Sequence, residues 1–163
     1  MFEISRLTVE HLRSGCVTDK ALPRFGFAVR SDRAGAKLVA AQLKVGDWET
    51  ALGDEAQKGT VYAGAALKPF TTYSVKLTAT DDAGETAYAE TTFETGRMGT
   101  AWKAQWITDG SYKFTEKKVS PVPMVFRKSI QTKKPVAWAR LYATAMGIYE
   151  VELDGKKLGS QYF

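Results

Sequence analysis

The stretch Leu67-Lys68-Pro69-Phe70-Thr71-Thr72-Tyr73-Ser74-Val75-Lys76-Leu77-Thr78-Ala79 decides the fold. Its second half alternates: Tyr73, Val75, Leu77 and Ala79 fall on one face of an extended chain, and Ser74, Lys76, Thr78 and Thr80 on the other. That period of two is the signature of a strand with one buried face. Its first half has the form Leu-x-Pro-x-Thr-x-Tyr, which reads as a corner where the chain crosses from one sheet of a sandwich to the other. Tyr73 would bury its ring there and hydrogen-bond its hydroxyl back to nearby backbone. Tyr73→Phe is then expected to cost about 1–3 kcal/mol, through a buried donor lost and a carbonyl left unpaired.

Working outward, Asp81-Asp82-Ala83-Gly84 offers Asx-type hydrogen bonding and a glycine able to take positive φ, and Ala87 to Thr95 resumes an extended, Thr-rich pattern. The two runs form a hairpin. Upstream, Arg24 to Val29, Leu38 to Lys44 and Thr60 to Tyr62 are further short strands, separated by the turn-rich stretches Ser31 to Gly35 and Gly53 to Gly59. A helix over Ala34 to Lys44 competes, but Gly35 and Val39 favour the strand. Glu94-Thr95-Gly96-Arg97-Met98-Gly99-Thr100 closes this region, and a domain boundary is expected there. Beyond it, Ala104 to Thr108, Met124 to Ile130, Ala137 to Ala145 and Ile148 to Leu153 are strand candidates, and Asp154-Gly155 is a two-residue hairpin signal. The fold class is therefore all-β, with domains over residues 1–97 and 98–163.

The composition fits a globular chain. Of 163 residues, 44% are hydrophobic and 25% charged, which excludes a mainly disordered polypeptide. No apolar run approaches the roughly 20 residues of a membrane-spanning helix, so no membrane partner is expected. The single cysteine, Cys16, closes no intramolecular disulfide, and the single histidine, His11, leaves most zinc and triad chemistry without parts. Neither a metal nor any other cofactor is expected. Met1-Phe2-Glu3-Ile4-Ser5-Arg6-Leu7 is not an export signal, which suits a cytoplasmic chain or one whose leader has been removed. The net charge of +5 is uneven: residues 1–97 carry 12 Lys+Arg against 13 Asp+Glu, and residues 98–163 carry 11 against 5. The basic pairs Lys117-Lys118, Arg127-Lys128, Lys133-Lys134 and Lys156-Lys157 are dispersed among strand and turn signals without a nucleic-acid motif, so a solvated surface is expected and nucleic acid is not.

Candidate chemistry is sparse. Asp81 with Asp82, and Glu150 with Glu152, are the carboxylate pairs, read as turn and solvent-face residues. Asp81-Asp82-Ala83-Gly84-Glu85 lacks the spacing of a calcium loop. His11 beside Glu10 has no third group to make an acid–base site, and Cys16 has no activating neighbour. Trp48, Trp102, Trp106 and Trp138 invite comparison with the indole platforms on which sugar rings stack. In Trp102-Lys103-Ala104-Gln105-Trp106 the two indoles share strand parity, which suits either a platform or a packed layer. The packed layer is the expected role, with Trp102 and Trp106 kept as carbohydrate-binding candidates.

The corner, the Asp-x-x-Gly turn and the exit Phe93-Glu94-Thr95-Gly96 resemble those of fibronectin type III domains. A more particular resemblance runs through ordered blocks: Leu7-Thr8-Val9-Glu10, Pro23-Arg24-Phe25-Gly26-Phe27, Trp48, Tyr62-Ala63-Gly64, Phe93-Glu94-Thr95-Gly96, Trp102-Lys103-Ala104-Gln105-Trp106-Ile107, Phe126-Arg127-Lys128 and Ala139-Arg140-Leu141-Tyr142 through Glu150. These are similar to the N-terminal portion of bacterial α-L-rhamnosidases, glycoside hydrolase family 78. The chain departs from that family in having Val75 where a tryptophan is common, Tyr88-Ala89-Glu90 for Trp-Ser-Glu, and Asp154-Gly155 for Asn-Gly.

The resemblance implies a fibronectin type III-like sandwich followed by part of a second β-sandwich of galactose-binding or jelly-roll type. It also implies a helical catalytic barrel C-terminal to both as partner, with rhamnosylated glycans as ligands. The inverting carboxylates, about 6.5–9.5 Å apart, would lie in that barrel, so no catalytic residue is assigned here and the chain by itself is expected to be inactive. The second domain is expected to be truncated, since 66 residues give about five strands where a jelly roll uses about eight. A carbohydrate-binding module and an adhesion sandwich are the alternatives.

Overall fold

The computed structural model describes residues 1–53, 59–108, 110 and 123–159, and the chain divides into two units, Met1–Trp106 and Ile107–Phe163. Among the described residues the regular elements are all strands.

In the first unit, β1 (Phe2–Val9), β3 (Arg24–Ser31) and β6 (Thr60–Val61) form a three-stranded sheet in the order β1-β3-β6. The second sheet holds β2 (Cys16–Thr18), β4 (Leu38–Val45), β5 (Trp48–Leu52), β7 (Thr72–Asp81) and β8 (Thr86–Thr95), ordered β2-β8-β7-β4-β5. Pairing is antiparallel except at β2, whose Cys16, Val17 and Thr18 run parallel to Phe93, Glu94 and Thr95. The buried core joins Val9, Phe25 and Phe27 of one sheet to Leu43, Val45, Val75, Leu77, Ala79 and Phe93 of the other. Removing each such large side chain from water contributes about 1.5–3 kcal/mol, and this makes the sandwich. Val75, Leu77 and Ala79 are fully buried, as their alternation requires.

Two strands interrupt their own alternation. In β1 the register shifts between Ile4 and Arg6, so the core-facing set changes from Phe2 and Ile4 to Leu7 and Val9. In β4 a shift between Leu38 and Ala40 does the same, moving from Leu38 to Ala41, Leu43 and Val45. An extra residue in one strand reverses the parity of everything after it, and this is what gives Ala34 to Lys44 its partly helical spacing.

The β7–β8 hairpin closes with Asp81 N–H on Glu85 O at 3.0 Å and Gly84 at φ 82°. At the corner the Tyr73 hydroxyl accepts a hydrogen bond from Lys68 N–H at 2.8 Å, and its ring stacks on Phe93 at 5.4 Å between centroids. The corner is present, but the bond runs from backbone to hydroxyl. The group exposed by Tyr73→Phe is therefore an amide N–H, not a carbonyl.

In the second unit, β9 (Glu152–Leu153) pairs with β10 (Lys156–Lys157) across Asp154 at φ 51° and Gly155 at φ 76°. These are the two left-handed positions of a tight hairpin turn. The other segments expected as strands, 124–130, 137–145 and 148–151, are not strands, nor is 104–108, where the first unit ends and the second begins. Alternation supplies a face, but a strand exists only when a neighbour takes its N–H and C=O groups. Leu153 finds such a neighbour through the turn, opposite Lys156. Val125 and Ile148 are 93% and 86% exposed. Lys117-Lys118 and Gln161-Tyr162-Phe163 lie outside the described residues.

Candidate functional site

The polar groups of the first unit gather at its turns. Asp81 is 1% exposed, and its Oδ1 accepts from the N–H groups of Ala83 and Glu85 at 2.9 and 2.8 Å while Oδ2 accepts from Arg33 at 3.0 Å. Burial acts to raise the Asp81 pKa, but Arg33 and the two amides outweigh it and hold the carboxyl below its ordinary value. Asp82 also binds Arg33 and accepts from Lys37 N–H at 3.1 Å, and the guanidinium first and this amide second lower its pKa too. A general acid needs the opposite shift. The pair is a hairpin lock holding one arginine, as the turn reading expects.

Glu10 is a second lock. Burial acts to raise its pKa, and Lys20 at 2.5 Å and the Arg24 amide at 2.6 Å lower it further than burial raises it. His11 shares with Glu10 a tight turn in which both residues take positive φ, bracketed by reciprocal 2.9 Å bonds between Val9 and Leu12. Glu10 thus serves the loop before β3, not an acid–base pair. Cys16 is buried, and desolvation followed by the Glu10 charge raises its pKa, which keeps the thiol protonated and unreactive. In the second unit Glu150 bonds Lys157 at 3.0 Å, and Glu152 lies on β9.

Trp48 is half-buried against Tyr62, with centroids 4.9 Å apart, and near Phe25. It belongs to the core. Trp102 and Trp106 are 47% and 65% exposed, and Trp138, in the second unit, 75%. The strand parity invoked for Trp102 and Trp106 has no strand to act on. The Arg97 guanidinium covers one face of Trp102 at 3.9 Å from the ring centroid. Among the described residues no three His, Cys, Asp or Glu side chains converge as a metal site, and no helix is long and apolar enough to cross a membrane.

Sequence reasoning missed the residues that fix the ends of the sandwich. Tyr62 donates to Ala65 O at 2.9 Å, and a Cβ on Gly64 would stand 2.5 Å from the Tyr62 hydroxyl and 2.7 Å from Trp48 Cβ. Only glycine fits against these two side chains. Thr95 is fully buried, and its hydroxyl accepts from Thr71 N–H at 2.9 Å and lies 2.6 Å from Lys68 O, stitching β8 to the corner. Two quoted blocks, Tyr62-Ala63-Gly64 and Phe93-Glu94-Thr95-Gly96, thus have a packing reason.

The family model described as "Rha78A-like, N-terminal immunoglobulin domain" matches residues 4–99. The chain belongs to that family. Its matched part is the two-sheet unit described above, and immunoglobulin and fibronectin type III domains share that architecture. The chain is 40% identical over 63 residues to an alpha-L-rhamnosidase of Alteromonas sp. (strain LOR), a match covering 35% of this chain and 6% of that protein. It is similar to the alpha-L-rhamnosidase of Streptomyces avermitilis, solved in complex with L-rhamnose, with TM-score 0.60 and 26% identity over 66% of this chain and 12% of that one. It is also similar to the alpha-L-rhamnosidase from Dictyoglumus thermophilum, with TM-score 0.59 and 27% identity over 68% of this chain and 14% of that one. The chain therefore corresponds to a small part of each relative's length. As a member of the Rha78A-like family it carries that family's N-terminal immunoglobulin domain over residues 4–99, an all-β sandwich.

Proposed function

We propose that the chain is the non-catalytic N-terminal portion of an α-L-rhamnosidase that removes terminal rhamnose from glycans or glycosides. Residues 1–97 act as its first β-sandwich, and residues 98–163 as the opening of a second, jelly-roll-type domain. Its role is structural, bracing a catalytic barrel C-terminal to both and shaping substrate approach. The observation that carries this reading is the family match over residues 4–99 in a chain that spans only 12–14% of the solved rhamnosidases. Among the described residues, the carboxylates with shifted ionisation, Glu10, Asp81 and Asp82, are all shifted down and spent on turn amides and cations, which suits a bracing role. The test is incubation of the purified chain with a chromogenic rhamnoside: no release of product above a mock preparation is expected, and clear turnover would refute the reading.

The exposed indoles of Trp102 and Trp106 favour one secondary role, contact with rhamnosylated glycans. Titration with L-rhamnose should then shift tryptophan fluorescence in the native chain and shift it less in Trp106→Ala. An unshifted spectrum removes this role and leaves the structural one.

A further inference from the structure

The segment between β8 and Trp102 has the composition of a linker, with Gly96 and Gly99 and no strand. Its polar groups are nevertheless engaged one after another. Gly96 N–H donates to Thr18 O at 2.9 Å, Gly96 O accepts from Phe70 N–H at 2.9 Å, and Thr100 N–H donates to Arg97 O at 2.8 Å. Met98 N–H donates to the Asp19 carboxylate at 2.7 Å. Met98 at φ 47° and Gly99 at φ 79° reverse the chain. For a side-chain-bearing residue such as Met98 that conformation persists only where the surroundings hold it, and the Met98 side chain packs against the core. Arg97 donates to Thr100 O and lies over the Trp102 ring. At Gly96 a Cβ would stand 2.6 Å from Asp19 Oδ1, so a side chain there would displace the carboxylate that holds Met98.

We propose that Asp19, Gly96, Arg97 and Trp102 form an exit clasp, a built extension of the first sandwich that fixes the direction in which the chain leaves it, with Asp19 as the positioning residue. A free linker satisfies its amides with water and needs neither a glycine beside a carboxylate nor a methionine at positive φ. In the clasp each of these features has a partner from β2 and the Asp19 that follows it, the corner or the core. Its use, a fixed mounting for whatever follows, rests on the reading of the chain as part of a larger enzyme. The clasp itself is measurable without that reading.

The test is limited trypsin digestion of the whole chain, because Arg97 lies inside the clasp and the exposed Lys103 just beyond it. Cleavage after Lys103 should be at least about tenfold faster than after Arg97, since proteolysis follows local opening. Asp19→Ala should bring the two rates together. Trp102→Ala, which leaves the core untouched, should narrow the ratio by about two- to fivefold, the worth of a solvent-exposed cation–π contact. Amide exchange supplies a reading independent of any variant: Met98 and Thr100 should be protected in the native chain. Equal cleavage at the two sites, or fast exchange at Met98, would overturn the clasp. Either result would leave the rhamnoside assay unchanged, so the two proposals fail separately.

Discussion

The two units of this chain carry similar sequence patterns and reach different ends. Both alternate apolar and polar residues, and both contain acidic-residue and glycine turns. In the first, Val75, Leu77 and Ala79 vanish beneath a facing sheet, while in the second Val125, Ile130 and Ile148 stay in contact with solvent. The difference lies in partners. Each strand of the first unit has a neighbour, from β1 against β3 to the β2–β8 pairing, whereas the described strands of the second unit have only each other. An amphipathic segment becomes a strand when a second segment completes its hydrogen bonds, and it contributes to a core when a second layer covers it.

That contrast can be broken by substitution. The largest effect is expected at Phe93, which is 1% exposed and packs on Phe25 and Tyr73. Phe93→Ala should lower the stability of the first unit by about 3–5 kcal/mol in urea denaturation, while Val125→Ser in the second should change it by less than about 0.5 kcal/mol. Comparable losses would mean the two units are not built differently. Next comes Gly64→Ala, where the added methyl meets the Tyr62 hydroxyl and Trp48. A cost of about 1–3 kcal/mol is expected from overpacking, and an unchanged midpoint would show that the rings yield.

Tyr73→Phe ranks third. It leaves the Lys68 amide without its protein acceptor, but that bond lies near solvent and water can replace it, so about 1 kcal/mol is expected, at the low end of the sequence-based range. The mildest effect is that of acid. The Asp81 and Asp82 carboxyls sit below their ordinary value of 3.8 in the folded chain. Their contribution is complete above that pH and is lost as the pH falls through the lower folded values. The first unit should therefore hold its denaturation midpoint from neutrality to about pH 5 and lose stability toward about pH 3, with a shallower loss in Asp81→Asn. An equal slope in that variant would remove the Arg33 lock from the account.

The sequence was most readable where periodicity and turn chemistry agreed. Tyr73 to Ala79, the Asp81–Gly84 turn and Asp154-Gly155 needed no tertiary information, because each carries its geometry locally. β1 was harder to read because its bulge moves the core-facing residues from Phe2 and Ile4 to Leu7 and Val9. β2 is three residues long and is defined only by β8, far along the chain. The exit residues were hidden for the same reason, since nothing local joins Asp19 to Met98. Gly64 did leave a signal, a glycine two residues after an aromatic and flanked by alanines, which marks close packing over a side chain. Trp102 and Trp106 show the limit of parity: the spacing was right for a strand, and no strand is there.

The parallel pairing of β2 with β8 has a consequence for the order of events during synthesis. Cys16 emerges from the ribosome well before its sheet neighbour, Phe93, which arrives only when the sandwich is nearly complete. Contacts of such long sequence separation form late, so the β7–β8 hairpin, joined by a local turn, has every opportunity to form first and offer β2 its edge. Asp19 follows β2 directly and cannot grip Met98 until that edge is taken. The hold on the departing chain is thus a completion signal: it closes only on a sandwich whose β2 and β8 have met, before the next stretch of polypeptide has to find its place.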